Sequence, residues 1–245
     1  MIAQGRETSG PSLLGKIPSQ GDFVRLQISH PVAHAFHRWL EEGHEAVRRA
    51  NAELSESPVN FLFTAPGERA ALIGVMARSE DRVGRSFPLC VFHVVDGAAT
   101  AARLGEIPIS YGAFLRGAAT LLSDAVNLSP QEIAARLQAL ESASRGDFAL
   151  AGAELGLFRA AAAEPHVRPL SASRLPGNVF YGLRTFAMAC RAERGKESSK
   201  PGVMLDVPLP EDGDPRFWLE LAQQLLAWKT LPPALFWAAG PAPRL

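Results

Sequence analysis

The chain has 245 residues, 47% of them hydrophobic, enough to bury one large core or two small ones. Its 25 Lys and Arg balance 25 Asp and Glu, so no whole-molecule field draws it to nucleic acid or an anionic bilayer, and recognition has to be local. Two cysteines, Cys90 in an apolar run and Cys190 in a helical pattern, exclude a disulfide framework and read as small buried hydrophobes in a reducing cytoplasm.

Residues 1–12 read as a flexible polar tail without the apolar core of a signal peptide. No apolar run approaches the roughly 18 residues that cross a bilayer, so no membrane insertion is expected. Residues 13–245 read as a single domain. After a first glycine-punctuated stretch, Gly15 to Phe23, the residues Phe36, Trp39, Leu40, Gly43, Val47 and Leu54 recur at helical spacing and predict an amphipathic helix. Val59–Phe63 and Leu72–Met76 flank the turn residues Pro66, Gly67 and Glu68, which predicts a hairpin. A second glycine-punctuated stretch, Asp81 to Leu89, leads into Leu89–Val95, a strand so apolar that both faces should be covered.

Phe114, Leu115, Ala118, Leu121, Leu122 and Ala125 form a second helical stripe. Ser129, Pro130 and Glu132 open a third helix with a capping box, its buried face being Ile133, Leu137 and Leu140. A weaker helical pattern follows Asp147, and a Pro-containing loop runs from Glu164 to Gly177. Val179, Leu183, Phe186 and Cys190 suggest a helix, with Val179 to Tyr181 equally readable as strand. Beyond a polar segment at Gly195–Gly202, the pattern predicts a strand at Val203–Val207, a helix burying Phe217, Leu221, Leu225 and Trp228, and a strand at Ala234–Ala238. Strands at both ends of the chain suggest one sheet completed by the C-terminal segment.

A Walker A loop, a dinucleotide-binding glycine fingerprint and a Gly-x-Ser-x-Gly elbow are all absent, so nothing here points to a cofactor. His34, His37 and His44 share a helical stripe beyond His30, but a metal site would need a fourth ligand and supporting partners; a solvated helix face is the better reading. His93, mid-strand, reads as a hydrogen-bonded core histidine.

The two glycine-punctuated stretches carry the candidate site. In the first, Gly15, Lys16, Pro18, Gly21, Asp22 and Phe23 combine turn residues, charges and an anchor aromatic, with Pro18 and Gly21 shaping a turn and Asp22 able to accept backbone N–H bonds. In the second, Asp81 can cap the loop, Arg82 and Arg85 straddle a Gly84 suited to positive φ, and Phe87 with Pro88 restarts the sheet. The sharp expectation is that Asp22 contacts Arg82 or Arg85 and unites the loops into one surface.

In order and spacing, Gly15-Lys16-Ile17-Pro18-Ser19 with Gly21-Asp22-Phe23-Val24, the Trp39 helix, and Asp81-Arg82-Val83-Gly84-Arg85-Ser86-Phe87-Pro88-Leu89 resemble the TagF (ImpM) family of type VI secretion-associated proteins. The clear resemblance covers about Leu14 to Val95. Leu235-Phe236-Trp237 is similar to an aromatic strand near the family's end, with Phe236 where tryptophan is common; the closing Pro241-Ala242-Pro243-Arg244-Leu245 departs from the family's more polar ending. The resemblance implies an α+β fold of the α/β class: a mixed, largely antiparallel sheet with helices on both faces, an α/β/α sandwich. It implies a cytoplasmic, post-translational repressor that binds a forkhead-associated scaffold protein in a circuit with a threonine kinase and phosphatase.

A binder of that kind needs apolar anchors and a polar rim, not an activated nucleophile. The motif loops either form that surface or staple the structure behind it. Two alternatives make different demands: a hydrolase using Asp22 or Asp81 needs the carboxylate in a deep pocket with a base in reach, and a structural part of the apparatus needs a stoichiometric place in it.

Overall fold

The computed structural model describes residues 10–143, 146–149, 151, 183–184, 186–188, 190–191, 215–226, 231–232 and 234–239. The patterns expected across residues 152–182, the polar segment at 195–202, the strand at 203–207, Trp228 and the tail from Pro241 lie outside these residues, as do residues 1–9. The chain divides into two compact units, one comprising Met1–Gly97, Ala113–Arg145 and Ala234–Ala239, the other Ala98–Gly112, Gly146–Pro233 and Gly240–Leu245.

The first unit is built on a sheet whose six described strands run in the order β2-β1-β5-β4-β3-β6, every pair antiparallel. They are β1 (Ser12–Gly15), β2 (Val24–Leu26), β3 (Val59–Thr64), β4 (Ala70–Ala77), β5 (Leu89–Asp96) and β6 (Ala234–Ala238). The expected hairpin is β3 and β4, its turn closed by Glu68 N–H donating to Ala65 O at 3.1 Å. β6 adds to β3 with Phe61 opposite Phe236, so the C-terminal segment completes the sheet. β1 and β2 were not expected: the first motif is a hairpin whose short arms offer too few alternating positions for periodicity to register.

Period-two alternation sends Leu14, Leu72, Cys90, Phe92 and Val94 to one face, where they are buried with Val32, Ala33, Phe36 and Leu40 of α1 (Pro31–Arg49). α1 starts where the His30 side chain accepts the Val32 N–H and Pro31 takes the first turn, and it is capped by Ala50, followed by Asn51 at positive φ. Its inner stripe therefore lies one turn earlier than the sequence pattern suggested: Gly43 is exposed and Leu54 falls beyond the helix. Phe36 stacks on Phe61 at 4.7 Å and meets Phe92 edge-on at 5.5 Å, which centres the core on this helix. A Cβ at Gly43 would meet nothing within 4 Å. Gly43→Ala should therefore stabilise the chain by about 0.5–1 kcal/mol, read as a shifted urea midpoint at unchanged slope.

The opposite face carries Leu13, Ile73, Val91 and His93, and Phe114 of α4 (Gly112–Asp124) meets the His93 ring edge-on at 6.2 Å. α5 (Pro130–Ala139) follows with the full capping box expected, Ser129 and Glu132 each holding the other's backbone N–H; Ile133 and Leu137 are buried, while Leu140 caps the helix end. In the chain, the short α2 (Gly97–Ala102) and α3 (Ile107–Ser110) follow β5 and precede α4.

In the second unit, α6 (Arg216–Leu226) buries Trp218, Ala222 and Leu226 with Phe186 and Cys190, which places Phe217, Leu221 and Leu225 on the shoulder and not at the centre of its inner face. Both cysteines are free and buried, and burial pushes each thiol up. No described helix is long and apolar enough to cross a membrane.

His93 departs from expectation in one respect: it is a core histidine, but its buried Nδ1 has no hydrogen-bond partner. Burial lowers its pKa from 6.5 to about 4. The unfolded chain therefore takes up a proton that the folded one refuses. This group costs no stability above pH 6.5 and about 3 kcal/mol as pH drops towards 4. Urea titrations across that range should show a markedly shallower slope in His93→Gln than in the native chain.

Candidate functional site

The first motif leaves β1 at Gly15, turns through Ile17 to Gln20, where Gln20 N–H donates to Ile17 O at 3.0 Å, and re-enters the sheet at Val24. Pro18 holds the second turn position, where its fixed φ fits. Gly21 lies at the bend that follows the turn, without positive φ, and an added Cβ would only touch the Arg82 guanidinium at 3.6 Å. Gly15 differs. Its φ is +141° and a Cβ there would lie 2.2 Å from Pro88 O, so the first motif presses its backbone against the end of the second.

The second motif is a tight hairpin between β4 and β5. Asp81 N–H donates to Arg85 O at 3.1 Å, Gly84 N–H donates to Asp81 O at 2.9 Å, and Gly84 takes φ +79° in open space, a type I turn closed by a left-handed residue. Its conformation matches the expectation. Phe87 N–H donates to Ser79 O at 3.0 Å, after which Pro88 leads into β5.

Asp81 joins the two motifs. Its Oδ1 accepts the N–H groups of Val83 (3.1 Å) and Arg85 (2.9 Å), an Asx-type cap, while Oδ2 receives Arg85 Nε at 2.7 Å and Lys16 Nζ at 3.0 Å. The Arg85 guanidinium also donates to Gly21 O, Arg82 N–H donates to Gln20 O at 2.8 Å, and Ser79 Oγ donates to Lys16 O at 2.8 Å. The expected contact of Asp22 with Arg82 or Arg85 is replaced by these. Asp22 is exposed and its Oδ1 accepts the Phe23 N–H at 2.7 Å, a local bond that turns the carboxylate to its own chain. Two loops do form one surface, but Lys16, Asp81 and Arg85 unite them.

Burial would raise the Asp81 carboxyl. The Arg85 N–H, the Lys16 ammonium, the Arg85 guanidinium and the Val83 N–H together outweigh that and hold it well below the usual carboxylate range.

Phe23 roofs this cluster, its ring 5.3 Å from Lys16 Nζ, 5.5 Å from the Arg25 guanidinium carbon and edge-on to Phe87 at 4.8 Å. It also meets His37 at 5.9 Å, and His44 meets Phe87 at 5.1 Å. His37 and His44 are thus half-buried against the two motif aromatics; only His34 fits the solvated face that the sequence suggested. Burial lowers the pKa of both, against Glu41 beside His37 and against the Ser86 backbone and Glu45 beside His44. Among the described residues, no group of three or more His, Cys, Asp and Glu is placed to hold a metal.

Beside the cluster a cleft of about 620 Å³ opens between the motif loops and the end of α1. Lys16, Phe23, Arg85 and Phe87 line it from the motifs, and Val47, Arg48, Glu53 and Leu54 from the helix and the chain that follows. Arg78 completes the rim at the end of β4. Asp22 and Asp81 do not line it. Sequence reasoning missed Glu53 and Arg78, since an isolated exposed charge carries no pattern, and Arg48 gave no signal beyond the polar face of an amphipathic helix; Val47 and Leu54 were assigned to its apolar stripe.

The family model of the TagF N-terminal domain, type VI secretion system-associated, matches residues 12–140. Among solved structures, the crystal structure of PA0076 from Pseudomonas aeruginosa PAO1 is similar, at 24% sequence identity and a TM-score of 0.43. The match covers 56% of this chain and 61% of that one, under two thirds of the Pseudomonas protein. A comparison with curated proteins returned no match.

Proposed function

We propose a regulatory role for this chain, which belongs to the TagF family of type VI secretion system-associated proteins: it restrains the secretion machine post-translationally, in the cytoplasm, by binding a forkhead-associated scaffold protein. The observation that carries the reading is the state of Asp81. Every position at which its carboxylate could accept a proton or attack is taken by Lys16, Arg85 and two backbone N–H groups, and it stands outside the cleft. Such a carboxylate fixes geometry and is badly suited to general-base chemistry. The motifs are then a rigid frame beside a partly apolar, charged cleft, which suits a binding surface.

The test is the sign of the effect on secretion. Deleting the gene should raise secretion and overproduction should lower it; loss of secretion on deletion would favour a structural part of the apparatus. Capture of the purified scaffold by the intact chain tests the partner. Asp22→Ala, exposed and locally bonded, should leave capture and folding unchanged, whereas Arg85→Ala should weaken capture if the motif surface touches the partner.

A further inference from the structure

The cleft beside the motifs is dominated by one sign of charge. Lys16, Arg48, Arg78 and Arg85 face it against a single carboxylate, Glu53. Lys16 and Arg85 share Asp81 between them, so that trio keeps one positive charge in excess. Arg48 is 71% exposed and 3.7 Å from Glu45; Arg78 lies 3.2 Å from Glu53, itself largely exposed. Surface pairs of that kind are weak, so both guanidiniums can exchange partners for an incoming carboxylate. Apolar side chains share the walls with these charges, Phe23 and Phe87 from the motifs and Val47 and Leu54 from α1 and the chain that follows it, with His44 against Phe87 and Ser86 beside it.

We propose that this cleft receives an acidic peptide segment of the protein partner, its carboxylates on Arg48 and Arg78 and one apolar side chain against Phe23 and Phe87. This rests on the partner-binding reading above and adds the chemistry of what is bound. The two cations stand on different elements, Arg48 on α1 and Arg78 at the end of β4, so that a chain segment lying in the cleft can meet both. The balanced charge of the whole chain gives no long-range pull on a nucleic-acid backbone, and oligonucleotide competition tests the local alternative. Charge complementarity of this local kind steers encounter and selects the partner.

The test uses the full chain and a fluorescein-labelled peptide of about twelve residues, rich in Glu and Asp with one leucine, followed by anisotropy. Binding should be about tenfold or more tighter than for the same peptide with amides in place of carboxylates, and should weaken about tenfold between roughly 0.05 and 0.5 M salt. The double variant Arg48→Glu with Arg78→Glu should lose about tenfold or more, and Glu53→Gln should bind more tightly. Arg116→Glu, an exposed cation on α4, should bind as the native chain does. Absence of binding, equal affinity for the amide peptide, an undiminished double variant, or stronger competition by a single-stranded oligonucleotide would each overturn the proposal.

Scaffold capture separates this from the function it rests on. Native chain that fails to capture the scaffold sinks the function. Equal capture by the native chain and the double variant sinks the cleft assignment and leaves the function standing.

Discussion

Gly15→Ala should destabilise the chain by about 3 kcal/mol or more. Two costs add. The backbone at Gly15 has φ +141°, which side-chain-bearing residues rarely adopt, and the new Cβ would lie 2.2 Å from Pro88 O and 2.7 Å from Leu89 Cα. Those obstructing atoms are backbone, fixed by the pairing of β1 with β5 through Leu14 and Cys90, so they cannot swing aside as a side chain would. Urea unfolding should show a lower midpoint at unchanged slope. Gly84→Ala is the control: its positive φ is strained, but its Cβ would enter open space, and the loss should stay near 1 kcal/mol. Equal losses at the two positions would show that the close approach of the motifs contributes nothing.

Asp81→Asn should lower the melting temperature by about 5–10 °C, because the substitution leaves the buried Lys16 ammonium facing a neutral amide. Lys16→Met should cost less, since Asp81 then keeps Arg85 and its two backbone donors. The pH dependence has a definite sign. The folded-state pKa of Asp81 is depressed below the ordinary 3.8, so its stabilising contribution is complete above that pH and is lost as pH falls through the folded value. The native chain should thus lose stability below about pH 4 more steeply than Asp81→Asn does. Parallel acid-unfolding curves for the two would mean that the carboxylate's charge does not hold the loops together.

Much of the fold was legible because its signals are local. The β3–β4 hairpin announces itself by turn residues between apolar runs, β5 by an uninterrupted apolar stretch, and α5 by Ser129, Pro130 and Glu132 in the spacing of a capping box. The first motif hid its strands, since β2 has three residues and none of them is fully buried. At α1 the apolar spacing pointed to a core stripe running to Leu54, but the helix ends at Arg49 and its tail turns Val47 towards the cleft. His37 and His44, polar by type, are half-buried because Phe23 and Phe87 arrive from distant parts of the chain.

What the amino-acid order determined by itself is the family, the β3–β4 hairpin, β5, β6 and the helices flanking them, and the turn chemistry of the two motif loops. Turns, caps and periodicity depend on neighbours within a few residues, and neighbours are what a sequence displays. The tertiary structure alone decided how those loops are joined. Asp22 and Asp81 are chemically alike, and nothing near either one says which will meet a cation. Asp81 does so because the β1–β5 pairing carries Lys16 to its buried carboxylate, leaving Asp22 in solvent bonded to its own chain. The cleft beside them arises in the same way, from residues that share no local pattern and meet only when the sheet closes.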